Sequence, residues 1–175
     1  MANVSLIEDA SDGPTRELIE SLKSGRRGSL LGIYKALLHN PDLTRSWFAH
    51  LNTVRWGVSL PARLRELVII RVGWRLGSAY ILKQHVPKLA LQDGVSEEEC
   101  AALQTQAPTG FDAAESAALR AADELTIGAK LSPEAAEALR AHFDERQFVE
   151  LTVLIGTYNM HARFVAGVDL PLETD

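Results

Sequence analysis

The chain predicts an all-α fold of about eight or nine helices. Apolar residues recur at three- and four-residue spacing through most of its length. The periodic stretches are bounded by Ser, Asp, Pro and Gly in the order that helix starts and stops require. No alternating apolar–polar run is framed by hairpin residues. Thr152-Val153-Leu154 has β-propensity, but it lies inside a much longer helical period.

The elements follow in order. Residues 1–14 are polar, end in Gly13-Pro14, and predict a flexible N-terminal arm ahead of a single domain over 15–175. Thr15 is placed to cap a short helix, RELIESLK, that stops at Gly25. SLLGIYKALLHN has a broad apolar face of Leu30, Leu31, Ile33, Tyr34, Leu37 and Leu38, and Pro41 both ends it and can open the next helix. That helix, DLTRSWFAHLNTVRW, sets Leu43, Trp47, His50, Leu51 and Val54 at helical spacing before Gly57. Ser59 is the expected cap of a helix over about 61–76. Leu64, Leu67, Val68, Ile70, Val72 and Trp74 cover much of its circumference, which marks it as central. After Gly77 the pattern resumes as a second central helix over about 78–92, with a kink expected at Pro87.

VSEEE, FDAAE and LSPEA each read as helix starts, with Ser96 and Ser132 as caps. A helix from Ala113 to Ile127 is Ala-rich, with Leu119 and Leu125 as its larger anchors. Asp144 and Gln147 form a capping-box pattern for the last long helix, and Pro171 closes the ordered chain. No Pro-, Gly- or Ser-rich linker divides the sequence, and no fixed-period repeat occurs.

Composition narrows the function. A chain of 175 residues is long enough for one substantial core. Its 18 basic and 23 acidic residues give a formal charge of -5, which disfavours nucleic acid as a partner. Cys100 is the sole cysteine, so an intrachain disulfide and a thiol-rich metal site are excluded; it reads as a small, partly buried hydrophobe. The start lacks a basic segment followed by an apolar run, and Arg71 and Arg75 interrupt the LVII stretch. A cytoplasmic protein with no membrane partner is the expectation.

The residues that bear chemistry gather between Glu66 and His85. Ser78, Ile81 and His85 are spaced three and four apart and share one helical face, with Gln84 beside it and Tyr80 a turn earlier. Glu66 lies on the preceding helix and meets His85 if the two helices pack antiparallel. A carboxylate beside an imidazole fixes its tautomer, and such a pair can take a proton from carbon or oxygen and return it elsewhere. The bland reading is a structural pair joining two helices, with Arg63 or Arg71 neutralising Glu66. His50, three residues after Trp47, and Tyr158, three before His161, are embedded in apolar helices and line either a pocket or a helix seam. The tryptophans at 47, 56 and 74 read first as packing residues. No H-x-x-x-H, H-E-x-x-H, G-x-G-x-x-G or phosphate-loop pattern occurs, so no metal and no cofactor is expected. The basic GRRGS turn reads as surface, with at most a contact to an anionic ligand.

These residues carry a resemblance. The Leu-Pro-x-Arg-x-Arg-Glu entry at 60–66, the Arg-Val pair at 71–72, Gly-Ser-x-Tyr at 77–80 and Gln-His-Val at 84–86 together resemble the carboxymuconolactone decarboxylase family, which includes the alkylhydroperoxidase D proteins. The likeness covers about 28–170. It implies an all-helical fold assembling as a homo-oligomer, often a trimer or hexamer. Peroxidatic members use a glutamate, two cysteines three apart and a histidine four further on; the matching positions are Glu66, Ser78, Ile81 and His85. Both thiols are therefore replaced. Many non-redox relatives carry Tyr-Glu-Trp before the Gln-His pair, whereas this chain keeps Tyr80 but has Ile81 and Leu82.

The expected function is a cofactor-independent lyase or isomerase, decarboxylase-like, that moves protons on a small carbonyl, lactone or aromatic-derived compound. His85 is the general acid or base, Glu66 its orienting or proton-sharing partner, and Tyr80 the donor to a developing enolate. Ser78, Ile81, Gln84, His50 and Trp47 are the candidate substrate-binding residues. The alternative is a homo-oligomer of the same descent that binds a ligand without turning it over.

With Ser78 and Ile81 at the thiol positions, hydroperoxide reduction should proceed at background rate with any dithiol donor, and Cys100→Ser should leave that rate unchanged. Robust turnover abolished by Cys100→Ser would overturn the assignment.

Overall fold

The computed structural model describes residues 2–25 and 28–173; Arg26 and Arg27 of the basic GRRGS turn lie outside them. All regular structure among the described residues is helical. The segments are α1 (Gly13–Ser24), α2 (Gly32–Leu37), α3 (Pro41–Trp56), α4 (Ala62–Arg75), α5 (Ala79–His85), α6 (Lys88–Gln92), α7 (Glu97–Ala102), α8 (Ala113–Gly128), α9 (Pro133–His142) and α10 (Glu145–Gly167). Two compact units are distinguished, Met1–Thr53 with Phe164–Asp175, and Val54–Arg163.

The first unit holds α1, α2, most of α3 and the end of α10. Its N-terminal residues are tied within it: Asn3 N–H donates to the Val168 carbonyl at 2.8 Å, Ile7 N–H to the Lys35 carbonyl at 3.0 Å, and Lys35 pairs with Glu8 at 2.6 Å. Asp12, and not Thr15, caps α1, its carboxylate accepting from the Thr15 N–H. Trp47 packs on Phe164 with ring centroids 5.3 Å apart, and Tyr34 meets Phe48 edge-on at 5.6 Å.

The second unit is organised around α4. Leu64, Val68, Ile69 and Val72 pack into one core with Ala118, Ala121, Ala122, Leu151 and Ile155. Leu67 and Ile70 enter another with Val95, Cys100, Leu103 and Leu119. The helix thus has a core on each side, as its all-round apolar pattern predicts. The small side chains of α8 let it approach α4 closely, and α9 packs on α8 in turn.

Several expected boundaries move. Ser59 does not cap α4: its N–H and Oγ both donate to Glu150 Oε2 at 2.7 Å, and Pro61 occupies the cap position. A proline ring pre-sets the backbone for entry into a helix, so no side-chain cap is required. The second central helix is not continuous over 78–92. It stops at His85, Val86 is extended, and α6 restarts after Pro87. Proline offers no N–H and crowds the residue before it out of the helical region, so the expected kink is a break. The predicted capping boxes form at Ser96–Glu99 and at Asp144–Gln147, and Ser132 caps α9.

Gly77 ends α4 with φ +60, a left-handed conformation open to glycine at little cost. The Ser78 N–H reaches back to the Gly73 carbonyl at 2.9 Å and closes a Schellman turn. This reversal sends α5 back along α4.

Two arginines of α4 tie it to its neighbours. Arg63 grips Glu99 and Glu115, at 2.5 and 2.7 Å, and its hydrogen bonds hold the Glu99 carboxyl down at about 2. Arg71 is completely buried. It forks onto both Asp123 oxygens at 2.6 Å and donates to the carbonyls of Leu103 and Thr105 at 2.6 Å and of Gln106 at 3.2 Å. Arg71→Ala would strand these acceptors, and breaking a buried pair in this way costs about 3–5 kcal/mol. Urea unfolding should show that loss; a drop below about 1 kcal/mol would mean that Arg71 is dispensable to the fold.

Candidate functional site

Glu66 stands on the second turn of α4, a helix without a solvent face, and is 0% exposed. A buried carboxylate must find donors or lose its charge. One donor comes from α5. Where α5 turns back, a Cβ on Gly73 would sit 3.1 Å from atoms of both Ile81 and Leu82, so the missing side chain allows the two helices to close. One turn beyond Ile81, His85 Nδ1 lies 2.6 Å from Glu66 Oε1. The His85 ring is 4% exposed. Because a carboxylate only accepts, the Nδ1–H donates, and in the neutral ring the free lone pair is left on Nε2. Nε2 makes no hydrogen bond among the described residues.

The other oxygen, Glu66 Oε2, has no hydrogen-bond partner among the described residues. The nearest cation is Arg55 Nη2 at 3.8 Å, on the last turn of α3. Neither Arg63 nor Arg71 neutralises Glu66: each is committed to other carboxylates, Arg63 to Glu99 and Glu115 and Arg71 to Asp123. Burial alone would push the Arg55 guanidinium down, but the neighbouring Tyr158 phenol and the charges of Glu66 and Asp93 outweigh it and leave Arg55 above its ordinary value. Its guanidinium also lies 5.0 Å from the Trp56 ring centroid.

Two aromatic residues of α10 extend the cluster. Tyr158 meets the His85 ring edge-on at 5.6 Å and stacks on His161 at 5.8 Å; Tyr80 lies 6.0 Å from His161. All four rings are buried. Glu66, His85 and Tyr80 thus belong to one continuous cluster, with Tyr158 and His161 completing it.

The candidate binding residues have separate fates. Ser78 caps α5, its Oγ accepting from the Ile81 N–H at 3.5 Å, so its hydroxyl is engaged in local structure. Ile81 is buried in the core with Val68 and Val72. Gln84 is half-buried on α5. In the first unit, Trp47 is buried against Phe164 and His50 is exposed. Arg55 is the residue that sequence reasoning missed. A positional signal existed: it follows Leu51 by four, and so continues the stripe of Trp47, Leu51 and Val54, where a charge is out of place unless it is paired. A separate open cavity of about 580 Å³, lined by Arg75, Asp123, Lys130 and Ser132 among others, lies beyond the opposite end of α4.

Comparisons with known proteins agree with this architecture. Residues 41–124 match the carboxymuconolactone decarboxylase family. The chain is 30% identical over 114 residues to the uncharacterized protein YnjA of Escherichia coli K12, a match covering 63% of this chain and 61% of that protein, so it spans about three fifths of that relative's length. An uncharacterized peroxidase-related protein from Silicibacter sp. TM1040 superposes with a TM-score of 0.83 at 20% identity, covering 99% of this chain and 92% of the other. The debrominase Bmp8, solved as a variant in complex with 2,3,4-tribromopyrrole, gives a TM-score of 0.80 at 19% identity, with 99% and 95% covered. At these identities the two structures establish the fold.

The capping role of Ser78 is testable by itself. Ser78→Ala should cost about 1 kcal/mol or less in urea unfolding, as lost N-caps do, and Ser78→Asp should restore it. A stability unchanged in both variants would return the hydroxyl to the list of ligand-binding groups.

Proposed function

From the match of residues 41–124 to the carboxymuconolactone decarboxylase family, we propose that this chain is a cofactor-independent lyase or isomerase acting by proton transfer on a small carbonyl or lactone compound. One observation carries the reading: a buried Glu66–His85 hydrogen bond of 2.6 Å that leaves Nε2 as the free nitrogen. Such a ring is held in one tautomer and one orientation, which general acid–base catalysis requires.

In this proposal His85 Nε2 removes a proton from carbon next to the substrate carbonyl. The C–H electron pair moves into an enolate, and the ring becomes an imidazolium held by Glu66. Tyr80 donates to the enolate oxygen. The imidazolium then returns its proton to a different carbon, which is isomerisation. For a β-keto acid the sequence differs: His85 Nε2 first takes the proton of the substrate's carboxyl group, the C–CO2 bond then breaks with its electron pair entering the enolate, and the imidazolium returns that proton to carbon. The buried rings of Tyr80, Tyr158 and His161 favour a ligand with an apolar or aromatic body. Assembly as a homo-oligomer belongs to the same proposal. Val149, Val153 and Met160 lie exposed along one face of α10 and offer an apolar surface for it.

The test uses carboxylated γ-lactones and β-keto acids, following CO2 release and deuterium incorporation from D2O. His85→Gln should melt near the parent temperature yet lose roughly 10²–10⁴-fold in kcat/KM. Glu66→Gln should lose less if Glu66 only orients the ring, and as much if it holds the proton. Near-normal turnover by folded His85→Gln would remove His85 from the chemistry. If both variants lowered only stability, with no substrate turned over by the parent, a ligand-binding oligomer without turnover would be the better description.

A further inference from the structure

The Arg55 guanidinium has no assigned part in the proton transfer, yet it is the sole cation within 4 Å of Glu66 among the described residues apart from the His85 ring itself. Its side chain is 14% exposed. Its 3.8 Å approach to Oε2 is too long for a hydrogen bond, so Arg55 does not hold Glu66 in place by direct contact. What it supplies is charge.

We propose that Arg55 is a positioning residue that fixes the proton count of the Glu66–His85 pair, so that the pair rests with a single proton, on Nδ1, and a bare Nε2. This rests on the reading of the pair as the proton-transfer group and adds the device that readies it. The argument is one of neutrality in a buried cluster, where an unbalanced charge is expensive. With Arg55 positive and Glu66 negative, the cluster is neutral when His85 is neutral. Without Arg55, neutrality requires one more proton on the pair, and the ring nitrogen with the free lone pair is the site that would take it.

The other groups facing the cluster do not upset this balance. Arg65, on α4, and Asp93, just after α6, contribute one charge each of opposite sign. Cys100 of α7 also feels the Glu66 charge; burial, first, and then Glu66 push its thiol up, so it remains protonated and neutral. Tyr80 of α5 and Tyr158 and His161 of α10 contribute rings. Tyr158, which helps to keep the Arg55 guanidinium charged, lies edge-on to His85 at 5.6 Å. The device also suits an anionic intermediate. When Nε2 takes a proton the cluster gains one positive charge, at the moment when an enolate gains one negative charge beside it.

The experiment reads the ring directly and needs no substrate. Protein labelled with 15N in histidine gives long-range proton–nitrogen spectra at pH 8, and His85→Gln identifies the His85 signals among the five histidines. The parent should show a protonated Nδ1 and a bare Nε2. Arg55→Met should show both nitrogens protonated, and Arg55→Lys should look like the parent. Adding Glu66→Gln to Arg55→Met restores neutrality and should return the ring to the unprotonated form. A folded Arg55→Met protein with a parent-like His85 spectrum would overturn the proposal. If Arg55→Met does not fold, the double variant should recover folding, and its failure to do so would overturn the proposal as well. Failure of the His85→Gln activity test leaves these spectra unaffected, so the two ideas fail separately.

Discussion

Glu66 and Arg71 lie five residues apart on α4, both are completely buried, and that helix has a core on either side of it. Five residues on an α-helix turn through about 140°, so the two side chains leave in different directions. Each has to be satisfied by a different neighbour. Arg71 draws in α8 and the segment after α7 through Asp123 and three carbonyls. Glu66 draws in α5 through His85 and the end of α3 through Arg55. Much of the arrangement of the second unit answers to these two needs, because a charge buried without partners costs more than a lost apolar contact.

The two answers differ in kind. Arg71 is saturated: its forked pairing with Asp123 and its bonds to carbonyls use the donors of the guanidinium, which suits a structural clamp. Glu66 is not saturated. One oxygen is bonded, the other faces a cation across 3.8 Å, and its histidine keeps a nitrogen with no hydrogen bond among the described residues. Unfilled hydrogen-bonding capacity in a buried polar cluster is where chemistry is to be sought. The contrast separates the site from the scaffold on a single helix.

Ser78 and Ile81, which stand where the family resemblance would place thiols, fit into this picture through packing. Ser78 serves the turn that reverses the chain, and Ile81 fills the close contact opposite Gly73. At both positions the side chains now serve the fold, while Glu66 and His85 keep their polar contact. The architecture is that of the solved structures it superposes on, and residues 41–124 match the carboxymuconolactone decarboxylase family.

Sequence by itself determined the helical class, the centrality of α4 and the caps at Ser96, Ser132 and Asp144; it offered Glu66 and His85 as partners only on condition that their helices pack antiparallel, which the tertiary structure supplies. Each is written in local spacing, because helical period, caps and turn residues act over four or five positions. Sequence also placed a helix break too weakly at Pro87 and caps wrongly at Thr15 and Ser59, where a neighbouring carboxylate or a proline competes for the same backbone ends. Only the tertiary structure decided which cation faces Glu66. Arg55, Arg63 and Arg71 are all near it in sequence, but helix direction and the prior claims of Glu99, Glu115 and Asp123 remove two of them. Tertiary packing likewise joined Tyr80, Tyr158 and His161 into one cluster, since rings about 80 residues apart meet only when α10 is laid beside α5.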